Sequence, residues 1–147
     1  MAVSFVSCRL FLAFNLGFKL SRYPIKIVSG LIQEEDSILL CFRKDTKDFA
    51  DHWALPVGHC EKGENETDTL RRELFEEIGI QLIDAEFLTR LFDNAEGVEH
   101  AVYRVLDWRG GIQNCEPEHC DEVGWFTLSQ LPEPLTPATQ RILESLE

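Results

Sequence analysis

The sequence predicts a strand-rich α+β domain with one central and one terminal helix. Short apolar runs alternate with turn residues over most of the chain, residues 66–78 switch to helical periodicity, and the C-terminus carries a well-marked helix start. In order, residues 25–32 and 37–42 are apolar runs separated by Gln33-Glu34-Glu35-Asp36, which reads as a hairpin. A polar loop over 44–52 leads to Trp53-Ala54-Leu55-Pro56, a short strand stopped by proline. A glycine-containing loop then precedes the helix at 66–78. Residues 87–92 and 98–106 read as strands around a turn at 94–97, and 123–128 as a further strand. The last helix has Thr136 as N-cap, Pro137 in its first turn, and Ile142, Leu143 and Leu146 as an apolar stripe.

With 147 residues, 44% of them hydrophobic, one domain around one core is expected. The 26 acidic against 14 basic side chains give a net charge of -12. Such a surface repels nucleic-acid phosphates and anionic lipid, so neither polymeric nucleic acid nor a membrane is an expected partner. A small phosphorylated substrate stays open, provided a cation bridges the repulsion. Residues 1–33 contain Arg9, Lys19, Arg22 and Lys26 and no acid, so all of the acidity lies further along the chain.

The five cysteines, Cys8, Cys41, Cys60, Cys115 and Cys120, are odd in number and irregularly spaced. This favours reduced thiols and a cytoplasmic protein. Cys115 and Cys120, with His119, His59 and Cys60, match no standard zinc module, and small buried side chains are the simpler reading. The first 20 residues are apolar, but Arg9 interrupts them and the longest unbroken run is residues 10–14. That is far short of the roughly 18 residues of a spanning helix. Residues 1–23 are therefore read as an extension outside the core, with a peripheral anchor as the rival, and residues 24–147 as the domain.

On a helix, Glu66, Thr69, Glu73, Glu76 and Glu77 share one face, while Leu74, Phe75 and Ile78 share the other. Neighbouring carboxylates at this spacing repel by about 3 kcal/mol per pair at an effective dielectric near 20. Arginine or a hard divalent cation with oxygen ligands relieves that repulsion. Arg71 and Arg72 are adjacent, but two monovalent charges on other faces of the helix are not expected to neutralise three clustered acids.

Reading outward, Gly58-His59-Cys60-Glu61-Lys62-Gly63-Glu64 is followed, after seven residues, by Arg72-Glu73-Leu74-Phe75-Glu76-Glu77-Ile78-Gly79-Ile80. This resembles the box of the Nudix hydrolase family, G-x5-E-x7-R-E-U-x-E-E-x-G-U with U aliphatic, at every specified position. At ordinary residue usage a chance match at one start is of order 10⁻⁸. The resemblance implies a mixed β-sheet sandwiched between helices (an α/β/α sandwich) and a divalent metal, Mg²⁺ or Mn²⁺. It assigns Glu73, Glu76 and Glu77 to the metal, with a backbone carbonyl at Gly58, and it gives Glu64 and Arg72 the task of orienting those carboxylates. Leu74 and Ile80 are core positions. Val57, Thr69 and Arg71 depart from the common pattern and are expected to loosen local packing.

The family often draws a further carboxylate from a later loop, as metal ligand or as base. The run 108–118, followed by Val123-Gly124-Trp125-Phe126, resembles that loop and makes Glu116 the candidate, with Glu118 and Glu122 as alternatives. Arg43 matches a position that contacts substrate phosphates in the antimutator (MutT-like) branch. Trp53 and Phe126 border a base-binding cleft on one reading and are core aromatics on the other. The resemblance thus implies metal-dependent hydrolysis of a nucleoside diphosphate linked to another group. Glu116 or Glu73 would take the proton of the attacking water. Markers for ADP-ribose, dinucleoside polyphosphates and NADH are absent from residues 93–96, so a nucleoside triphosphate is the first choice of substrate. An ADP-ribose or nucleotide-sugar pyrophosphatase is the alternative enzyme, and a non-catalytic nucleotide-sensing module the alternative of another class. The oligomeric state, monomer or homodimer, is left open.

Overall fold

A computed structural model describes residues 22–147. The expectations for the N-terminal extension fall almost entirely outside them; Tyr23, at its end, packs its ring on Phe92 with centroids 4.7 Å apart. Among the described residues are eight strands: β1 (Ile25–Leu31), β2 (Gln33–Glu34), β3 (Ser37–Arg43), β4 (Trp53–Ala54), β5 (Val57–His59), β6 (Gln81–Asp93), β7 (Val98–Arg109) and β8 (Cys120–Thr127). Two helices accompany them among the described residues, α1 (Glu66–Ile78) and α2 (Pro137–Ser145). The first sheet runs β5-β1-β7-β6 and is mixed, because β1 and β7 are parallel while the other neighbours are antiparallel. In the second, β2 and β4 share one edge of β3 and β8 takes the other, all antiparallel.

The strands lie between the helices because both of their faces are apolar. Along β3, Leu39 and Cys41 point to a core with Leu70, Leu74 and Ile78 of α1. Ile38, Leu40 and Phe42 point instead to a core with Ile142 and Leu143 of α2. A period-2 strand with no polar side is what a sheet covered on both faces requires. The α+β class and the helix on each side thus match the expectation.

Several elements differ in detail. The expected hairpin of 25–32 with 37–42 shrinks to β2 and β3, which pair Gln33 with Ile38 around a turn where Glu35 has φ 53°. The run beginning at Ile25 instead pairs with β5 and β7, and the chain passes into the second sheet at Ile32. The glycine-containing loop contains a strand, β5, whose Val57 to His59 pair with Ser29 to Ile27. Helix α1 has the expected bounds. Asn65 caps its N-terminus by accepting from the Asp68 amide at 2.8 Å, and Gly79 ends it at φ 75°. Phe75, expected in the core, is 58% exposed, whereas Thr69, expected on the acidic face, is fully buried. Leu146, expected in the apolar stripe of α2, is exposed.

A buried polar pair crosses the first sheet. Ser29 of β1 and His100 of β7 share a 2.6 Å hydrogen bond, and burial, with Arg141 nearby, lowers the His100 pKa from 6.5 to about 4. The unfolded chain therefore takes up this proton at higher pH than the folded one, so the stabilisation is complete above pH 6.5 and is lost as pH falls towards 4. The expected loss is about 3 kcal/mol across that window. Urea unfolding at pH 7 and pH 4.5 checks it, with His100→Gln expected to lack this part of the slope.

Candidate active site

Arg72, in the middle of α1 and expected on another face, instead reaches the acidic one, because its long side chain spans to Glu73 and Glu76. Its Nε donates to Glu64 Oε2 and its Nη2 to Glu64 Oε1, both at 2.9 Å, a two-point fork. Nη2 also donates to the His59 carbonyl at 3.0 Å, while Nη1 reaches Glu73 Oε1 at 2.7 Å and Glu76 Oε2 at 3.3 Å. One guanidinium therefore ties the loop before the helix to two carboxylates on it. Arg72 itself, bonded first to Glu64 and next to Glu73, holds its proton more tightly than a free arginine. The fork, with help from the Glu61 amide and Thr69, lowers the Glu64 pKa to about 2. Thr69, read above as a loosening substitution, is a tightening one. Its hydroxyl lies 3.2 Å from Glu64 Oε1 and 3.1 Å from the Asn65 carbonyl.

Glu73 and Glu77 face inward. Strand β5 brings Gly58 flush against Glu73, and a Cβ at position 58 would overlap the Glu73 side chain, so only glycine leaves the carboxylate where it is. Burial raises the Glu73 pKa, and Arg72 offsets part of the rise. Glu77 is pushed up further, by burial and then by the charges of Glu73 and Glu116, with only partial relief from the Val57 backbone. Glu76 is the outlying member, its side chain 46% exposed beside Arg72.

Glu116 comes from a loop that docks on the end of α1. The Gln113 amide donates to the Ile78 carbonyl at 3.1 Å and the Cys115 amide to the Glu77 carbonyl at 2.9 Å. These bonds satisfy carbonyls that a helix end leaves without partners. The loop then turns at Glu116, whose carbonyl accepts from the His119 and Cys120 amides at 2.9 Å each. A cleft of about 160 Å³ results, lined by Glu77, Glu116, Arg43, Val57, Cys41 and Cys120 among others. Arg43 stands on its wall with Nε and Nη2 donating to the Asp48 carbonyl at 3.3 and 3.0 Å. Neither rival acid, Glu118 nor Glu122, lines this cleft.

Trp53 and Phe126 do not line it either. Trp53, 9% exposed, packs edge-on against Phe126 at 4.6 Å and against Phe42 at 5.0 Å, in the core shared with α2. Their aromatic character serves packing at these positions. The Cys41–Cys120 pair in the cleft went unread, because two cysteines so far apart in sequence give no local signal.

The donor set around the cleft suits a hard divalent cation, since Glu73, Glu77 and Glu116 offer only oxygens and their mutual charges penalise one another. Among the described residues, however, no three acidic, histidine or cysteine side chains are already gathered into a metal cage. The Glu73 and Glu76 carboxylates are turned to Arg72. Also among the described residues, no helix is long and apolar enough to cross a membrane.

Comparison with known proteins follows the same lines. The NUDIX domain family model matches residues 24–146. The nucleoside triphosphatase NudI of Escherichia coli O139:H28 is 36% identical over 87 residues, a match spanning 54% of this chain and 62% of NudI. The CTP pyrophosphohydrolase of Escherichia coli K12 is 30% identical over 123 residues, covering 82% of this chain and 90% of that protein. Among solved structures, a MutT NUDIX hydrolase from Burkholderia pseudomallei superposes with a TM-score of 0.77 at 33% identity, covering 84% of this chain and 98% of that one.

Proposed function

The chain belongs to the NUDIX domain family, and on that premise we propose that it is a pyrophosphohydrolase whose substrate is a nucleoside triphosphate. The observation that carries this reading is that Glu77 of α1 shares a cleft with Glu116, beside the Glu73 and Glu76 carboxylates that Arg72 ties to Glu64. The similarity to a CTP pyrophosphohydrolase over 90% of that protein's length favours a triphosphate and makes CTP the first nucleotide to try. Four free cysteines among the described residues suit a reducing compartment, the cytosol.

Glu73, Glu77 and Glu116, with Glu76 and the Gly58 carbonyl as further donors, would hold a divalent cation of the Mg²⁺ or Mn²⁺ class. When bound, such an ion neutralises phosphate oxygens and makes water a better nucleophile. Arg72 holds Glu73 in place, so that carboxylate is committed. Glu116, on the loop across the cleft, takes the proton from the attacking water. Arg43, which also lines the cleft, supplies positive charge to the polyphosphate. Products are a nucleoside monophosphate and pyrophosphate, with no covalent intermediate.

A screen with Mg²⁺ across the nucleoside triphosphates, ADP-ribose, NADH and dinucleoside polyphosphates tests the proposal. Release of pyrophosphate from at least one triphosphate, abolished by chelator, is expected. Turnover of ADP-ribose alone would replace the substrate class, and release of neither phosphate nor pyrophosphate from any nucleotide would remove the enzyme reading.

A further inference from the structure

Two cysteines meet in the catalytic cleft. Cys41 lies on β3 and Cys120 opens β8, and both line the cleft that holds Glu77 and Glu116. Cys41 pairs with Val123, and the register between β3 and β8 shifts after Phe42 so that Cys120 stands opposite Arg43; the Cys120 thiol beside it, with burial, pushes the Cys41 thiol well above its ordinary range. Cys41 is the more enclosed and packs against the core beneath α1. Cys120 also donates from its sulfur to the Glu122 carbonyl at 3.1 Å. Neither Cys60 nor Cys115 lines this cleft.

We propose that Cys41 and Cys120 form an oxidisable dithiol that takes hydrogen peroxide as co-reactant, and that the resulting disulfide closes the catalytic cleft. Cys120, the more accessible sulfur, attacks a peroxide oxygen. An S–O bond forms, the O–O bond breaks, and one water leaves. Cys41 then attacks the Cys120 sulfur. An S–S bond forms, the S–O bond breaks, and the oxygen departs as a second water with the Cys41 proton. Two thiols are oxidised by two electrons and the peroxide is reduced to water.

The consequence for the site follows from what Cys120 is tied to. Bonding to Cys41 draws its sulfur away from the Glu122 carbonyl and towards β3. Its amide, bonded to the Glu116 carbonyl, pulls the Glu116 turn with it. The carboxylate opposite Glu77 is thereby displaced and the space beside Arg43 filled. The disulfide itself does not depend on the proposed hydrolase reading; the loss of activity does.

The full chain is treated with hydrogen peroxide, its remaining thiols are alkylated, and the digest is mapped by mass spectrometry beside a Mg²⁺-dependent hydrolysis assay. Two of the five thiols are expected to disappear with a mass loss of two hydrogens, in a cross-link joining the Cys41 and Cys120 peptides. Hydrolysis is expected to fall at least tenfold and to return with dithiothreitol. Cys120→Ser is expected to lose the cross-link and keep its activity through peroxide, and Cys41→Ala, a second variant, to lose the cross-link as well. Cross-links to other cysteines, no cross-link at all, or peroxide inactivation of Cys120→Ser equal to that of wild type would each overturn the proposal. A mapped Cys41–Cys120 bond with undiminished hydrolysis would overturn the closure of the cleft. If reduced wild type hydrolyses nothing, the hydrolase reading fails alone, because the peptide map still decides on the dithiol.

Discussion

Glu77→Gln is expected to lower Mg²⁺-dependent turnover at least a thousandfold, a loss of about 4 kcal/mol of transition-state stabilisation. The substitution keeps the shape of the side chain and removes its charge. Burial and the neighbouring Glu73 and Glu116 already hold the Glu77 pKa well above the usual carboxylate range. Ionised Glu77 therefore costs stability unless a cation answers it, and the amide has no such cost. Without Mg²⁺ the variant should unfold no earlier than wild type. The rise in melting temperature expected of wild type with Mg²⁺ should be missing from it, since a ligand that binds only the folded state stabilises by mass action. Thermal unfolding with and without Mg²⁺, beside steady-state kinetics, reads both effects. Normal turnover in Glu77→Gln would take Glu77 out of the site even if the protein is a hydrolase.

Arg72→Lys is expected to reduce kcat about a hundredfold with little change in KM for the nucleotide. An ammonium group is one point of charge and cannot reproduce the two-point fork on Glu64 while also reaching Glu73, Glu76 and the His59 carbonyl. The lost geometry is that of Glu73, so the defect appears in the chemical step and in the metal requirement. The Mg²⁺ concentration for half-maximal rate should rise about tenfold, in the range seen when residues that orient metal ligands are changed. A rate within twofold of wild type at low Mg²⁺ would show that Glu73 does not depend on the fork.

Most of the site was legible because it lies on one helix and the loop before it. Helical periodicity puts Glu73, Glu76 and Glu77 on one face without any knowledge of the sheets, whereas Glu64, in the loop before the helix, and Arg72, which periodicity puts on another face, were legible through the resemblance. Glu116 was legible only through resemblance, since nothing local says that Gln113 and Cys115 dock on the last carbonyls of α1. Strand β5 was hidden by its three-residue length and its glycine. The run at 25–32 was legible as strand but not as to partner, because an apolar run buried on both faces carries no alternation to mark its neighbours. Phe75 misled because helical angle groups it with Leu74 and Ile78 although it lies at the edge of that face, and Thr69 because its hydroxyl has a use, beside Glu64, that its position on the acidic face does not announce. Trp53 and Phe126 were ambiguous in sequence, and the contacts of Trp53 with Phe42 and Phe126 place both in the core shared with α2.

The parallel pairing of β1 with β7 has a kinetic meaning. It joins Ile25 to Val98, and the pairing of β3 with β8 joins Ser37 to Thr127, whereas β6 and β7 meet around a short turn. Helix α1 and the β6–β7 ribbon need only nearby residues, but Gly58 reaches Glu73 through β5 on β1, and the Glu116 turn lies between β7 and β8. The acids of the cleft therefore come together only once distant parts of the chain have met. The entropy of closing those long loops, more than any single contact, sets how fast an active molecule forms.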